Sequence, residues 1–125
     1  MKRLLVVAVL LTAVAAFASD SPPGMACEDA TLVRYHRGPN VAAFATSRGG
    51  HLEHLRKGLS KGTILFAGPI TAGEELVGGL AIFKGQDLKA IAAMTETDPV
   101  IANKAFTYTL DTWMMCRSAP EAPKK

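Results

Sequence analysis

The sequence predicts an α+β protein with a ferredoxin-like fold, in which strands and helices follow one another in the order βαββαβ. The segments at the two ends of the domain, Thr31–Arg37 and Phe106–Leu110, alternate β-branched or aromatic residues with other types, as strands do. Between them lie two segments with apolar residues at helical spacing and two short apolar strands. A chain of 125 residues has room for one such domain.

The first 18 residues have the composition of a secretory signal peptide. Lys2 and Arg3 precede the apolar run Leu4–Ala16, and Ala16 and Ala18 are small residues at the positions that signal peptidase reads. The apolar run is shorter than the roughly 20 residues that a stable membrane-spanning helix needs. We therefore predict a periplasmic or secreted protein that is not attached to the membrane after cleavage.

The remaining chain divides into a flexible leader over residues 19–26, a folded domain over residues 27–116 and a disordered tail over residues 117–125. The chain has 14 basic and 11 acidic residues, and two of the basic residues belong to the predicted signal. The mature protein is thus close to neutral and has no basic stripe, so nucleic acid is not an expected partner.

The first half of the domain predicts a strand, a loop and a helix. The strand is followed by residues 41–50, which show no clear period and are expected to form a loop. From His51 onward an apolar stripe at i, i+3 and i+7 predicts a helix, with Leu52, Leu55 and Leu59 as its members. Gly62 is placed to end this helix.

The second half predicts two strands, a helix and a final strand. Thr63–Ala67 is a short apolar run bounded by glycines, and Leu76–Lys84 is the next strand after a loop over residues 71–75. Gln86–Glu96 has helical spacing, and the last strand continues to about Trp113.

With right-handed crossovers, this order gives a four-stranded antiparallel sheet in the strand order 4-1-3-2, with both helices on one face. The middle strands are apolar on both sides, as in Leu80–Phe83. An apolar sheet face without cover is an aggregation hazard, so we expect a homodimer that packs sheet against sheet.

The elements laid out above resemble the YCII-related domain family over about residues 30–114. The matching positions are the helix segment Arg48-x-x-His51-Leu52-x-x-Leu55, then Gly62, Ala67-Gly68-Pro69, Gly78-Gly79, Asp98-Pro99 and Trp113. The resemblance implies a dimeric α+β barrel related to muconolactone isomerases. It also implies a His–Asp pair associated with catalysis, without a general reaction for the family.

His51 and Asp98 are the candidate catalytic pair. His51 opens the predicted first helix and Asp98 follows the predicted second helix, so the topology places both at one end of the sheet. A carboxylate that accepts the Nδ1 hydrogen of a histidine leaves Nε2 free as a base. A purely structural interpretation is also open, because Asp98 before Pro99 is a good N-cap with proline at N1.

Three further residues are candidate substrate contacts. Arg48, one turn before His51, is suited to a carboxylate or phosphate, although a solvated loop arginine fits the sequence equally well. Arg34 and His36 share one face of the first strand and are either substrate contacts in a barrel cavity or interface residues. His54, Glu53 and His51 lack a further ligand at matching spacing, so we predict no metal site.

Two kinds of function are compatible with these residues. One is an isomerase or lyase that transfers protons on a small organic substrate through His51 and Asp98. The other is a non-catalytic periplasmic dimer that binds a small ligand or has a structural role. No phosphate-binding loop, dinucleotide fingerprint or nucleophile motif is present, and no cofactor is expected.

Cys27 and Cys116 are predicted to form a disulfide. Export takes the chain into an oxidising compartment, where two thiols usually pair. Cys27 lies just before the first strand and Cys116 just after the last strand, and these strands are antiparallel neighbours in the predicted order.

Overall fold

The computed structural model describes residues 21–119, so the predicted signal peptide and the end of the predicted tail lie outside it. The strands are β1 (Met25–Arg37), β2 (Ile64–Ala72), β3 (Glu75–Lys84) and β4 (Phe106–Ser118). The helices are α1 (Phe44–Lys61), α2 (Leu88–Glu96) and the short α3 (Pro99–Ala102), with a 3₁₀ turn before α1. Within residues 21–119, no helix has the length and apolar character needed to cross a membrane.

The four strands form one antiparallel sheet in the order β2-β3-β1-β4, which confirms the predicted α+β fold and topology. β1 and β4 are longer than predicted and pair along their whole length, from Met25 opposite Ser118 to Arg37 opposite Phe106. Met25 and Ala26, assigned to the leader, and Arg117 and Ser118, assigned to the tail, are therefore strand residues. These residues show little alternation of apolar and polar types. They form strands because the start of β1 and the end of β4 supply each other with backbone hydrogen-bond partners.

The disulfide is present where the sequence predicts it. Cys27 lies directly opposite Cys116 in the β1–β4 ladder, and their sulfur atoms are bonded. The bond joins residues 89 positions apart and holds the outer ends of these two strands together.

Helix α1 begins at Phe44, whereas the sequence predicted a loop up to Gly50. The glycine pair Gly49-Gly50 weakens the helical signal, but packing against other elements stabilises the helix. Phe44 contacts Phe106 of β4 edge to face at a centroid distance of 5.2 Å. A Cβ atom on Gly50 would lie 2.8 Å from Cγ of Pro99, so the glycine allows α1 to approach α3 closely.

The two faces of the sheet differ in what covers them. The main core lies between the sheet and the helices, and its buried residues include Val33, Phe83, Ile91 and Val100. A second, smaller cluster on the opposite face consists of strand residues only. Register places Phe66, Ile70 and Trp113 on that face, where they are 59%, 44% and 39% exposed.

Candidate active site

Asp98 lies at the centre of the candidate site and is fully buried. Its Oδ1 accepts the backbone N–H of Val100 at 3.2 Å, so it is the N-cap of α3, with Pro99 at N1. Its Oδ2 faces the other way and accepts hydrogen bonds from the Tyr35 hydroxyl at 3.0 Å and from Nδ1 of His51 at 2.7 Å. Asp98 therefore caps α3 with one carboxylate oxygen and contacts His51 with the other.

His51 reaches Asp98 from the second turn of α1, because the helix begins earlier than predicted. The neighbouring Gly50 lies against Pro99, which brings this turn of α1 close to the residue after Asp98. The ring of Tyr35 meets the His51 imidazole edge to face, with the ring centroids 5.3 Å apart. The imidazole is thus held on two sides, and its side chain is 17% exposed.

The contact with Asp98 assigns the hydrogen on the His51 ring. An ionised carboxylate only accepts hydrogen bonds, so the 2.7 Å contact places a hydrogen on Nδ1. In the neutral ring, the lone pair then lies on Nε2. Within residues 21–119, Nε2 has no hydrogen-bond partner, and His51 lines a cavity.

The cavity has a volume of about 550 Å³ and lies between α1 and the strands β2 and β3. Most of its lining is apolar and includes Phe44, Leu52, Leu55, Leu59 and Phe106. Gly68 and Gly79 line the strand side and have no side chain to fill the space. A cavity of this size and character suits a small organic molecule with a mainly apolar body.

Two arginines of α1 line the cavity, and they differ in their partners. Arg56 forms hydrogen bonds to both carboxylate oxygens of Glu53, at 2.9 Å and 2.6 Å. Arg48 has no salt-bridge partner in the described part of the chain. Of the two guanidinium groups, Arg48 is thus the one available to an anion in the cavity.

Arg34 and His36 do not reach this cavity. Side chains alternate along β1, and Tyr35 between them points towards the helices and Asp98. The two neighbours therefore face the other side of the sheet, where Arg34 pairs with Asp111 at 3.3 Å and His36 contacts the Thr109 hydroxyl at 3.0 Å. Arg34 and His36 therefore do not line this cavity, and their assignment as substrate contacts or interface residues on the other face stays a prediction.

Tyr35 is a site residue that the sequence did not single out. Burial, together with the charge of Asp98 and the hydrogen bond to it, raises the pKa of the Tyr35 hydroxyl far above its usual value. The hydroxyl therefore stays a donor to Asp98 at any ordinary pH. The available signal was the alternation of side chains: only residues of β1 that face the helices can reach groups on the helices, and near the strand end the polar residues of that face are Tyr35 and Arg37.

His54 is the second addition to the site. Its Nε2 lies 4.0 Å from Oδ2 of Asp98 and is buried without a hydrogen-bond partner among residues 21–119. Burial lowers the pKa of His54, and the charge of Asp98 opposes this effect only in part. The sequence pointed to His54 only as one member of a weak metal motif.

Within residues 21–119, the structure adds no further ligand to the motif of His51, Glu53 and His54. No group of three or more His, Cys, Asp or Glu side chains within residues 21–119 is arranged to hold a metal ion. Glu53, the carboxylate of that motif, binds Arg56 instead.

Comparison with known proteins gives a fold class. No family model matches the chain, and no curated protein sequence is detectably similar to it. Among solved structures, 5-chloro-2-hydroxyhydroquinone dehydrochlorinase (TftG) from Burkholderia phenoliruptrix AC1100, in complex with 2,5-dihydroxybenzoquinone, is similar with a TM-score of 0.53. The sequence identity is 17%, over 66% of this chain and 92% of that chain. The chain thus shares the α+β fold of that structure.

Proposed function

We propose that this protein is an enzyme that transfers a proton on a small organic molecule bound in the cavity beside His51. The observation that carries the proposal is the 2.7 Å contact between Nδ1 of His51 and buried Oδ2 of Asp98. This contact leaves Nε2 as a base on the side of a mainly apolar cavity.

The proposed step begins when Nε2 of His51 takes a proton from an acidic C–H or O–H bond of the substrate. The imidazolium that forms keeps its hydrogen bond to Asp98, whose charge stabilises it. Return of the proton to another substrate atom gives an isomerisation. Departure of a leaving group with the electron pair gives an elimination, as in the reaction named for the structural neighbour, a dehydrochlorinase.

Arg48 is the proposed contact for negative charge on the substrate. It lies one turn before His51 on α1, so an acidic group bound to it would sit near the atom that loses the proton. Arg56 serves as the matched control, because its guanidinium is already bound by Glu53. Arg48→Gln should weaken binding of a small anion such as 2,5-dihydroxybenzoquinone, measured by calorimetry, more than Arg56→Gln does.

Hydrogen exchange tests the reaction without knowledge of the natural substrate. Small phenols and enolisable acids are incubated with the mature protein in D₂O, and loss of their C–H signals is followed by proton NMR. We expect catalysed exchange for at least one compound, and a reduction of about 100-fold or more in His51→Gln. Binding with no exchange would favour the non-catalytic ligand-binding role, and exchange that His51→Gln leaves intact would exclude His51 as the base.

We further propose that the chain is a member of the YCII-related group and forms a homodimer through the sheet face opposite the helices. The exposed apolar residues on that face, Phe66 and Ile70 among them, support this assembly. Sedimentation should give a dimer for the wild type and a monomer for Phe66→Lys. Leu88→Lys on helix α2 is the control, because Leu88 is also exposed but lies on a helix. A wild type that remains monomeric at micromolar concentration excludes the dimer.

The proposed location is the periplasm or the exterior of the cell. The bonded sulfur atoms of Cys27 and Cys116 support an oxidising compartment. Mass spectrometry of the exported protein should give a chain that begins at Ser19, with both cysteines resistant to alkylation until a reductant is added.

A further inference from the structure

His54 is the buried titratable group that the proposed reaction does not use. It follows His51 by one turn on α1, its side chain is 16% exposed, and its Nε2 has no hydrogen-bond partner among the described residues. The nearest charged atom is Oδ2 of Asp98, at 4.0 Å. This is the same oxygen that binds Nδ1 of His51.

A hydrogen bond to Asp98 does not explain why His54 is buried beside this carboxylate. Oδ2 of Asp98 already accepts from Tyr35 and His51, which uses both of its lone pairs, and Oδ1 accepts from the backbone of Val100. A neutral His54 therefore adds no bond to Asp98, and its buried nitrogen is left unpaired at a cost in free energy. A protonated His54 would be attracted by Asp98 and repelled by a protonated His51.

We propose that His54 is a positioning residue that acts on His51 through Asp98. When His54 is protonated, it competes with His51 for the negative charge of the same carboxylate and weakens the contact between Asp98 and His51. Neutral His54 leaves the full charge of Asp98 to His51, which is the arrangement the proposed base requires. Protonated His54 draws the carboxylate charge to itself and disables the pair. The consequence for catalysis rests on the proposed function, whereas the competition between the imidazoles is a property of the protein without substrate.

The surroundings of His54 set the direction of this competition. The titratable groups around the shared oxygen are Asp98 before α3, His51 on α1 and Tyr35 on β1, and Tyr35 stays neutral because its pKa is raised. Burial lowers the pKa of His54 most, the charge of Asp98 raises it in part, and the charge of His51 lowers it again, so that the net effect is a lowered pKa. His54 thus takes its proton only in more acidic solution than an ordinary histidine does.

An NMR titration of the mature chain tests the proposal. The chain has three histidines, so the imidazoles can be assigned by removing each in turn. In the wild type we expect the midpoint of His54 to lie below the usual histidine value of about 6.5, and the His51 resonance to show a second inflection at that midpoint. His51→Gln should raise the midpoint of His54, because the like charge is gone.

Two further variants separate competition from a general effect on folding. His54→Gln should remove the second inflection from the His51 titration curve while the protein stays folded. If His51→Gln does not fold, the His54→Gln titration tests the proposal by itself. His36→Gln is the control, since His36 lies on the other face of the sheet and contacts Thr109. Curves for His51 and His54 that do not respond to each other's removal, or that respond equally to His36→Gln, would overturn the proposal whether or not the exchange reaction is found.

Discussion

At the scale of single residues, the two oxygens of Asp98 have different hydrogen-bond partners. Oδ1 caps α3 through Val100, and Oδ2 orients His51. A carboxylate with no exposed surface keeps its charge only where donors surround it, and here the Tyr35 hydroxyl and the His51 ring supply them. The capping bond also fixes the direction of the carboxylate, so the geometry of the pair does not depend on bound substrate.

Removal of the Tyr35 hydroxyl should destabilise the protein through Asp98. Tyr35→Phe deletes one donor to a buried carboxylate, so we expect a loss of about 2 kcal/mol in the free energy of unfolding, measured by urea denaturation. Tyr108→Phe is the control, since its hydroxyl binds the exposed Glu96 at 2.9 Å, and it should lose less. Equal losses of unfolding free energy in Tyr35→Phe and Tyr108→Phe would show that the buried hydrogen bond to Asp98 contributes no more than the exposed one to Glu96.

The raised pKa of Tyr35 also predicts that Tyr35→Phe changes how stability depends on pH in alkaline solution. In the unfolded chain the Tyr35 hydroxyl loses its proton near the ordinary tyrosine pKa of about 10, whereas in the folded protein it keeps the proton. The unfolded state therefore binds fewer protons above that pH, and stability should fall with rising pH. Tyr35→Phe should flatten this fall, and an unchanged slope would contradict the assignment.

At the scale of elements, the close approach of α1 and α3 brings His51 to Asp98. Gly50→Ala would place a methyl group 2.8 Å from the Pro99 ring and should push the two helices apart. We expect lower stability and a weakened His51–Asp98 contact, seen as a changed His51 NMR titration. Gly49→Ala is the matched control, because its Cβ meets nothing within 4 Å and alanine favours the helix. A Gly50→Ala protein as stable as Gly49→Ala would refute the role of this contact.

The order of the elements and the meeting of His51 with Asp98 were predictable from the sequence, because both follow from alternation, helical spacing and right-handed crossovers. The start of α1 was not, since Gly49-Gly50 weakens the local signal and the contact with Pro99 that supports the helix is tertiary. The position of Arg34 and His36 relative to the cavity was not predictable for a related reason: the sequence shows that the two side chains share a face of β1 but not whether the helices cover that face.

At the scale of the whole molecule, the disulfide joins the two long strands β1 and β4 near the ends of the domain. Reduction, or the double change Cys27→Ser and Cys116→Ser, should lower the free energy of unfolding by about 4.6 kcal/mol in the chain-entropy model, because the cysteines are 89 positions apart. The site should survive in the folded fraction, since the His51–Asp98 contact is made by α1 and α3. Unfolding curves that are identical with and without reductant would contradict this role.

We propose that Asp98 holds the hydrogen of His51 on Nδ1 and leaves Nε2 as the base, and the tautomer of His51 in solution reports this arrangement. Nitrogen-15 NMR of the unliganded protein, at a pH where His51 is neutral, distinguishes the two ring nitrogens. We expect a hydrogen on Nδ1 of His51 in the wild type and loss of this preference in Asp98→Asn, with the tautomer of His36 the same in both proteins. A hydrogen on Nε2 in the wild type, or a tautomer that Asp98→Asn does not alter, would contradict this proposal.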